Sequence, residues 1–291
     1  MTDSSKHVYF HVGLGKTGTT YLQYEFFPKL KGIHYIQRTR YQRAHEIISR
    51  TEYPRYLVSR EFDQQLPQEV ANFSRHYPDA RVIIVLRRHD GWIASQYRRF
   101  AKNGIHIEFE KFFDIDHDRG LWKHADLNFM SKLRIIESHF SQKPLVLFQE
   151  DLKQDPFGFF DSIAAYTGAT YDRDTISLDA VHASYSDKQL KAVRKLSRYL
   201  FPASETQSRK TLRGWLQWRR IQLTSYAIMY PARLLPDAWF QNVELIPQGQ
   251  LDKIREHFAE DWAQCRDYAR LSRGLDVGEI IGTHPGCDIF T

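Results

Sequence analysis

The chain has 291 residues, of which 42% are hydrophobic and 26% are charged, an ordinary globular composition that excludes a disordered or collagen-like protein. Its formal net charge of +6 favours an anionic ligand or surface, but the charge does not choose between nucleic acid, a phosphate-bearing cofactor and a membrane. Two cysteines, Cys265 and Cys287, are too few for a disulfide framework or a cysteine-based zinc site.

Strand-like and helix-like segments alternate along the first two thirds of the chain. Four short apolar runs predict buried parallel strands at Val8–Val12, Tyr56–Ser59, Val82–Leu86 and Leu145–Phe148. Helical spacing of apolar residues predicts helices at Thr19–Leu30, Asp187–Leu200 and Leu251–Leu271. The alternation predicts an α/β fold with a doubly wound parallel sheet over about residues 7–185. We expect residues 186–291 to form a helical C-terminal extension, so that one domain spans residues 1–291.

A glycine-rich loop joins the first predicted strand to the first helix, with the sequence Gly13-Leu14-Gly15-Lys16-Thr17-Gly18-Thr19-Thr20. Such a loop can direct several backbone N–H groups at one anion, and the helix N-terminus adds to the attraction. Lys16 supplies positive charge, and the three threonines supply hydroxyl donors. The loop is not a Walker A loop, because Thr19 follows Gly18 where that motif has its lysine. The pattern favours a phosphate-binding loop over a simple tight turn, and it disfavours a magnesium nucleotide kinase.

Arg87 directly follows the third predicted strand, and Ser95 lies eight residues further on in a helical segment. A guanidinium at the carboxyl end of a parallel strand and a hydroxyl on the next helix can converge on one phosphate. Ligands also collect at this edge of parallel sheets. Arg88 is the neighbouring alternative to Arg87, and a solvated basic face is the structural alternative.

Together these two motifs resemble the cofactor site of sulfotransferases. Lys16 to Thr20 resembles the family's 5′-phosphosulfate loop, and Arg87 with Ser95 resembles its 3′-phosphate site in order and spacing. The resemblance implies a P-loop-like α/β fold and the cofactor 3′-phosphoadenosine 5′-phosphosulfate (PAPS), whose product is adenosine 3′,5′-bisphosphate. It implies that residues from Gly15 to Thr20, with Arg87 and Ser95, bind this cofactor. Lys16 would stabilise charge on the leaving phosphate, and no metal is expected.

Transfer to a hydroxyl also needs a general base. Glu61 follows the second predicted strand, in a segment that resembles the place where carbohydrate and tyrosyl-protein sulfotransferases have a glutamate. The resemblance implies that Glu61 is the catalytic base. Two histidines in apparent loops, His34 and His106, compete for this role, and an ion pair with Arg60 is the structural alternative for Glu61.

Two further features have less specific interpretations. Glu150 and Asp151 follow the fourth predicted strand, where we expect a structural role in holding Arg87 or Lys16. The segment from Arg209 to Arg220 has five basic residues, two tryptophans and no acid, and an apolar stretch too short to span a membrane follows it. It fits an amphipathic element on an anionic membrane, a clamp for an acidic saccharide, or a core helix with an exposed basic face.

The resemblance implies a PAPS-dependent sulfotransferase that moves a sulfuryl group by in-line displacement to a hydroxyl, or less readily an amine. The resemblance around Glu61 implies that the acceptor is a carbohydrate or glycolipid. A P-loop kinase and a non-catalytic anion-binding protein of the same fold are the alternatives. Nucleic acid is not an expected partner, because no DNA- or RNA-binding motif accompanies the basic residues. The first six residues lack a signal-peptide hydrophobic region, which predicts a cytoplasmic location. The membrane alternative for the segment from Arg209 to Arg220 would add peripheral contact with the inner membrane face.

Overall fold

The computed structural model describes residues 6–105, 107–179, 185–200, 211–240 and 244–281. One sheet contains five strands: β1 (His7–His11), β2 (His34–Ile36), β3 (Arg55–Ser59), β4 (Arg81–Leu86) and β5 (Leu145–Phe148). Every strand pair is parallel, and the strand order is β2-β3-β1-β4-β5. The predicted α/β class, the parallel sheet and the four predicted strands are confirmed.

Helices connect and flank these strands. The α-helices are α1 (Thr19–Tyr21), α2 (Ala44–Arg50), α3 (Leu66–Ser74), α4 (His89–Lys102), α5 (Phe109–Phe112), α6 (His124–Leu127), α7 (Phe129–His139), α8 (Gln149–Gln154), α9 (Pro156–Thr167), α10 (Asp187–Leu200), α11 (Leu212–Ala232), α12 (Gln248–His257) and α13 (Ala259–Ile281). Shorter 3₁₀ turns lie at Arg38–Arg43, Arg173–Thr175 and Asp237–Phe240. Within the described residues, no helix is both long and apolar enough to cross a membrane.

Three elements differ from the sequence-based expectation. The helix predicted from Thr19 to Leu30 is an α-helical turn followed by a π turn (Leu22–Phe26) and a 3₁₀ turn (Phe27–Lys29). Pro28 has no N–H to continue an α-helix, which accounts for the 3₁₀ turn at the C-terminal end of the predicted helix. The helix predicted from Leu251 to Leu271 is two helices, α12 and α13, separated at the buried Phe258. Strand β2 was not predicted, because three residues are too few to show a period.

The strand order reverses direction at β1. Strand β1 pairs with β3 on one side and with β4 on the other. In open parallel sheets, ligands bind beyond the carboxyl ends of the strands where the strand order reverses in this way. The glycine-rich loop follows β1, Glu61 follows β3, and Arg87 follows β4. All three predicted features therefore lie at the same edge of the sheet.

The chain divides into two compact units, each assembled from separated stretches. The first contains the described residues of Met1–Arg88, Asn128–Val181 and Phe258–Thr291, and it holds the whole sheet. Aromatic side chains fill its core, where Phe26 stacks on Phe160 with ring centroids 4.4 Å apart.

The second unit contains the described residues of His89–Leu127 and His182–His257, and its regular elements are helices. The buried Asp90 of α4 accepts two hydrogen bonds from Arg255 of α12, at 3.1 and 2.9 Å, which joins these two helices. The prediction of one domain over residues 1–291 stays a prediction.

Candidate active site

The glycine-rich loop adopts a constrained backbone conformation. Lys16 has a φ of 72°, in the left-handed region that residues other than glycine rarely occupy, and Gly18 has a φ of 91°. The Thr17 hydroxyl donates to the Leu14 carbonyl at 2.7 Å and closes the turn from within. Backbone strain of this kind concentrates in ligand-binding loops, where the surrounding contacts enforce it. The loop therefore has a fixed shape with the exposed Lys16 side chain at its surface.

Close packing under the loop requires Gly13. A Cβ atom at this position would lie 2.3 Å from Cγ2 of Thr19 and 2.8 Å from Cε1 of His11. Both neighbours are buried, so neither can move aside freely. Gly13 thus allows the backbone to approach its neighbours more closely than any other residue type would permit.

The segment after β3 supports the loop through both backbone and side chains. Phe62 donates its N–H to the Gly13 carbonyl at 3.0 Å. The Thr19 hydroxyl donates to Oε1 of Glu61 at 2.6 Å, which holds this half-buried carboxylate beside the first turn of α1. Oδ1 of Asp63 accepts from the N–H of Gly15 at 2.9 Å. Asp63 was not predicted, although its position two residues after Glu61 is a signal that could have identified it.

Arg87 reaches the loop from the end of β4. Its Nη1 donates to the carbonyl of Lys16 at 3.2 Å. The neighbouring Arg88 donates its backbone N–H to Oε1 of Glu150 at 3.0 Å, and its side chain is exposed. The side chain of Arg87 therefore contacts the loop, and the choice of Arg87 over Arg88 for phosphate binding stays a prediction.

The acidic pair after β5 makes structural contacts. Glu150 contacts the backbone of Arg88, next in sequence to Arg87, and Asp151 pairs with Arg266 of α13 at 2.9 Å. Both residues therefore have structural partners, and the expectation that they hold Arg87 or Lys16 stays a prediction.

Three other residues named from the sequence are Thr20, Ser95 and His106. Thr20 is half-buried at the start of α1. Ser95 lies half-buried in α4, which belongs to the second unit, and its part in phosphate binding stays a prediction. His106 lies outside the described residues.

His34 is in a strand, so the expectation that it lies in a loop was wrong. It is the first residue of β2, and it pairs in register with Tyr56 near the start of β3. Glu61 follows the other end of β3, so His34 lies toward the opposite edge of the sheet. Its ring stacks on Tyr53 with centroids 4.3 Å apart, and burial together with Arg40 lowers its pKa. This position does not suit a base for chemistry at the loop.

A buried polar trio lies beneath the loop. Nδ1 of His11 is 2.8 Å from Oγ of Ser59, and Gln23 donates to the same oxygen at 3.0 Å. All three residues are buried, and burial lowers the pKa of His11 to about 3, which keeps the imidazole neutral. The trio joins β1, β3 and the helical turn after α1. Sequence patterns gave no sign of it, since these polar residues occupy positions that read as strand and helix core.

Comparison with known proteins gives a limited result. No protein-family model matches the chain, and no curated protein sequence matches it. Two similar solved structures are both sulfotransferases. One, from Alicyclobacillus acidocaldarius, is 15% identical with a TM-score of 0.47, and the match covers 74% of this chain and 100% of that one. The other is mouse sulfotransferase SULT7A1 complexed with PAP, also 15% identical, with a TM-score of 0.44 and coverage of 94% and 89%. At these scores, neither likeness by itself establishes an activity for this chain.

Proposed function

We propose that this protein is a PAPS-dependent sulfotransferase that transfers a sulfuryl group to a hydroxyl of a carbohydrate or glycolipid. The observation that carries the proposal is one cluster at the carboxyl edge of the parallel sheet. There the loop after β1 meets Arg87 from β4 through the Lys16 carbonyl, and Glu61 from β3 through the Thr19 hydroxyl. A cation and a candidate base thus contact the same loop from opposite sides of β1.

The residues present fit an anionic cofactor of this class. Phosphate and sulfate groups bind to glycine-rich loops that precede a helix, and to lysine and arginine side chains. This site has such a loop, the exposed Lys16 and the guanidinium of Arg87. Gly18, with a φ of 91°, has a backbone shape that a side chain would strain. Residues Gly15 to Thr20 would hold the 5′-phosphosulfate end, and Arg87 with Ser95 the 3′-phosphate. When bound, PAPS supplies a sulfuryl group attached to a phosphate leaving group.

Each side chain has a distinct role in this proposal. Glu61 would take the proton from the attacking hydroxyl, and the hydrogen bond from Thr19 fixes one of its two oxygens in place. Lys16 would neutralise negative charge that develops on the leaving phosphate. The contact with the Lys16 carbonyl would keep Arg87 oriented toward the loop. The buried trio under the loop links β1 to β3. It would therefore help to position Lys16, which follows β1, relative to Glu61, which follows β3.

Ligand binding tests the cofactor assignment. We expect adenosine 3′,5′-bisphosphate to raise the thermal midpoint of unfolding without magnesium, and ATP to do so weakly. A ligand at a hundredfold excess over its dissociation constant stabilises a protein by about 2.7 kcal/mol, which such an assay detects readily. A larger, magnesium-dependent shift with ATP would indicate a kinase and contradict the proposal.

Product analysis tests the acceptor class. The enzyme would be incubated with PAPS carrying radioactive sulfur and separately with neutral oligosaccharides, glycolipids, phenols and amines. Label on the carbohydrate or glycolipid hydroxyls is the expected result. Transfer to phenols or amines alone would retain the sulfotransferase assignment but refute the carbohydrate one, and bisphosphate binding without transfer would indicate a non-catalytic binding protein.

A further inference from the structure

Helix α11 exposes its large apolar side chains and packs through its small ones. Its buried residues are Gly214, Ser225, Met229 and Ala232. On the other side lies an outer stripe, which we define as Leu212, Leu216, Leu223, Tyr230 and Leu234, the last just beyond the helix end; these residues are 74%, 54%, 61%, 70% and 88% exposed. Their spacing of four or seven residues places them along one side of the helix. A core helix normally shows the reverse arrangement.

The buried side of α11 already has its partner. It packs on α10 and the following turn, where Ala192, Ala232 and Phe240 form a small apolar cluster. Gln189 of α10 donates to the Met229 carbonyl at 3.1 Å. The outer stripe is therefore not the face that attaches α11 to its own unit.

Arginines lie on both sides of the outer stripe. At about 100° per residue, Arg213 and Arg220 fall on one side, and Arg219 and Arg233 on the other. All four are exposed, as is nearly half of Trp215. Between Glu205 and Asp237 the sequence contains six basic residues and no acidic one, although Arg209 and Lys210 lie outside the described residues. The surface is thus apolar along its middle and positive at its edges.

We propose that this surface docks on an anionic lipid bilayer, with α11 lying in the plane of the membrane interface. Aliphatic side chains along the middle would enter the boundary between headgroups and acyl chains, while the flanking guanidinium groups contact lipid phosphates and carboxylates. Trp215 suits the same depth, because tryptophan concentrates at membrane interfaces. The helix of 21 residues contains three arginines, so it lies on the bilayer and does not cross it.

Two other occupants fit this surface less well. A second copy of the chain meeting the same face would bring arginine rows against arginine rows, since a two-fold interface pairs a surface with itself. An acidic saccharide would match the arginines, but its hydroxyl-rich surface would not cover four exposed leucines. An anionic bilayer satisfies both parts of the surface at once.

Vesicle binding tests the proposal with the whole chain. We expect the wild-type protein to co-sediment with phosphatidylcholine vesicles that contain phosphatidylserine, and to bind pure phosphatidylcholine vesicles much more weakly. The triple variant Arg213→Gln, Arg219→Gln and Arg220→Gln should reduce the partition coefficient roughly a hundredfold, since each basic residue near an anionic surface contributes to binding. The double variant Leu216→Gln and Leu223→Gln should reduce it by about tenfold or more through lost apolar insertion.

Matched variants control for charge and hydrophobicity. Arg40→Gln, Arg43→Gln and Arg75→Gln together remove the same charge from exposed positions of the first unit, and Leu271→Gln replaces an exposed leucine of α13. Both should bind like the wild type. Brominated lipids should quench tryptophan fluorescence on binding, and most of this quenching should disappear in Trp215→Phe. Circular dichroism and the thermal midpoint would verify that every variant folds.

Each remaining outcome overturns the proposal. If the leucine variant binds vesicles like the wild type, the stripe does not insert. If the wild type ignores vesicles and the leucine variant converts a dimer to a monomer in sedimentation, a second copy covers the stripe. If the wild type ignores vesicles and binds a sulfated polysaccharide through the three arginines, the partner is an acidic glycan. Bisphosphate binding by the loop is measured separately, so failure here leaves the proposed function untouched.

Discussion

Two regions of this chain suit anions, and they are built on different physical principles. In the loop after β1, backbone geometry dominates: Lys16 is held with a φ of 72°, Gly13 has no room for a Cβ, and Arg87 is bonded to a loop carbonyl. On α11, the cations are exposed arginines around an apolar stripe.

The difference separates recognition of shape from recognition of surface charge. Donors held in a loop of fixed shape select an anion by geometry. Exposed arginines attract any dense negative surface, and that attraction weakens as salt is added. A single substitution at the loop should therefore weaken anion binding strongly. On α11, each arginine substitution should weaken binding a little, and the effects should add.

The largest effect is expected at the candidate base. Glu61→Gln keeps the shape and the hydrogen bond from Thr19 but removes the proton acceptor, so turnover should fall by about a hundredfold to ten-thousandfold. The dissociation constant for adenosine 3′,5′-bisphosphate, measured by calorimetry, should stay within error of the wild type. Glu69→Gln is the matched control, because Glu69 is also half-buried and accepts from a hydroxyl, that of Tyr41, at 2.8 Å. Full activity in Glu61→Gln would exclude Glu61 as the base.

The next effect concerns the loop arginine. Arg87→Ala removes a charged group that contacts the Lys16 carbonyl, so we expect bisphosphate affinity to fall by about tenfold to a hundredfold. Arg88→Ala removes an exposed side chain from the adjacent position and should have little effect. The same calorimetric titration checks both variants. A larger loss in Arg88→Ala would reverse the assignment of the two arginines.

A smaller effect should distinguish two glycines. Gly13→Ala places a Cβ 2.3 Å from Thr19, whose hydroxyl is already bonded to Glu61, and we expect a loss of about 2 kcal/mol in the free energy of unfolding. Gly249→Ala in α12 meets no atom within 4 Å and should be neutral or stabilising by up to about 1 kcal/mol. Urea titration measures both. Equal stability of the two variants would show that the loop adjusts more easily than its packing indicates.

The sequence was informative where one short segment contains the whole signal. The glycines, lysine and threonines from Gly13 to Thr20 are contiguous, and the strand ends that carry Glu61 and Arg87 are apolar runs with a clear boundary. The fold class and four strands followed from the same patterns. These features depend on local chemistry and period, which a sequence displays directly.

Contacts between distant segments could not be read in this way. The bond from Gly15 to Asp63 and the buried trio under the loop join residues from separate elements, and each side chain alone has an ordinary explanation. The outer stripe of α11 was hidden for a different reason. Its leucines have the period of a core helix, and only the exposed fractions show that the small residues face inward.

The smallest expected effect is a pH dependence that only the loop region should show. Burial lowers the pKa of His11 to about 3, so below about pH 6.5 the unfolded chain binds a proton at this residue that the folded chain does not. The free energy of unfolding should therefore decrease as the pH is lowered, by up to about 1.4 kcal/mol per pH unit from this group. Urea titrations at pH 6 and 5 should show a smaller loss in the free energy of unfolding for His11→Gln than for the wild type. Vesicle binding should stay constant over this range, because arginine remains charged throughout. An identical pH dependence in His11→Gln and the wild type would mean that the imidazole beneath the loop is not held neutral.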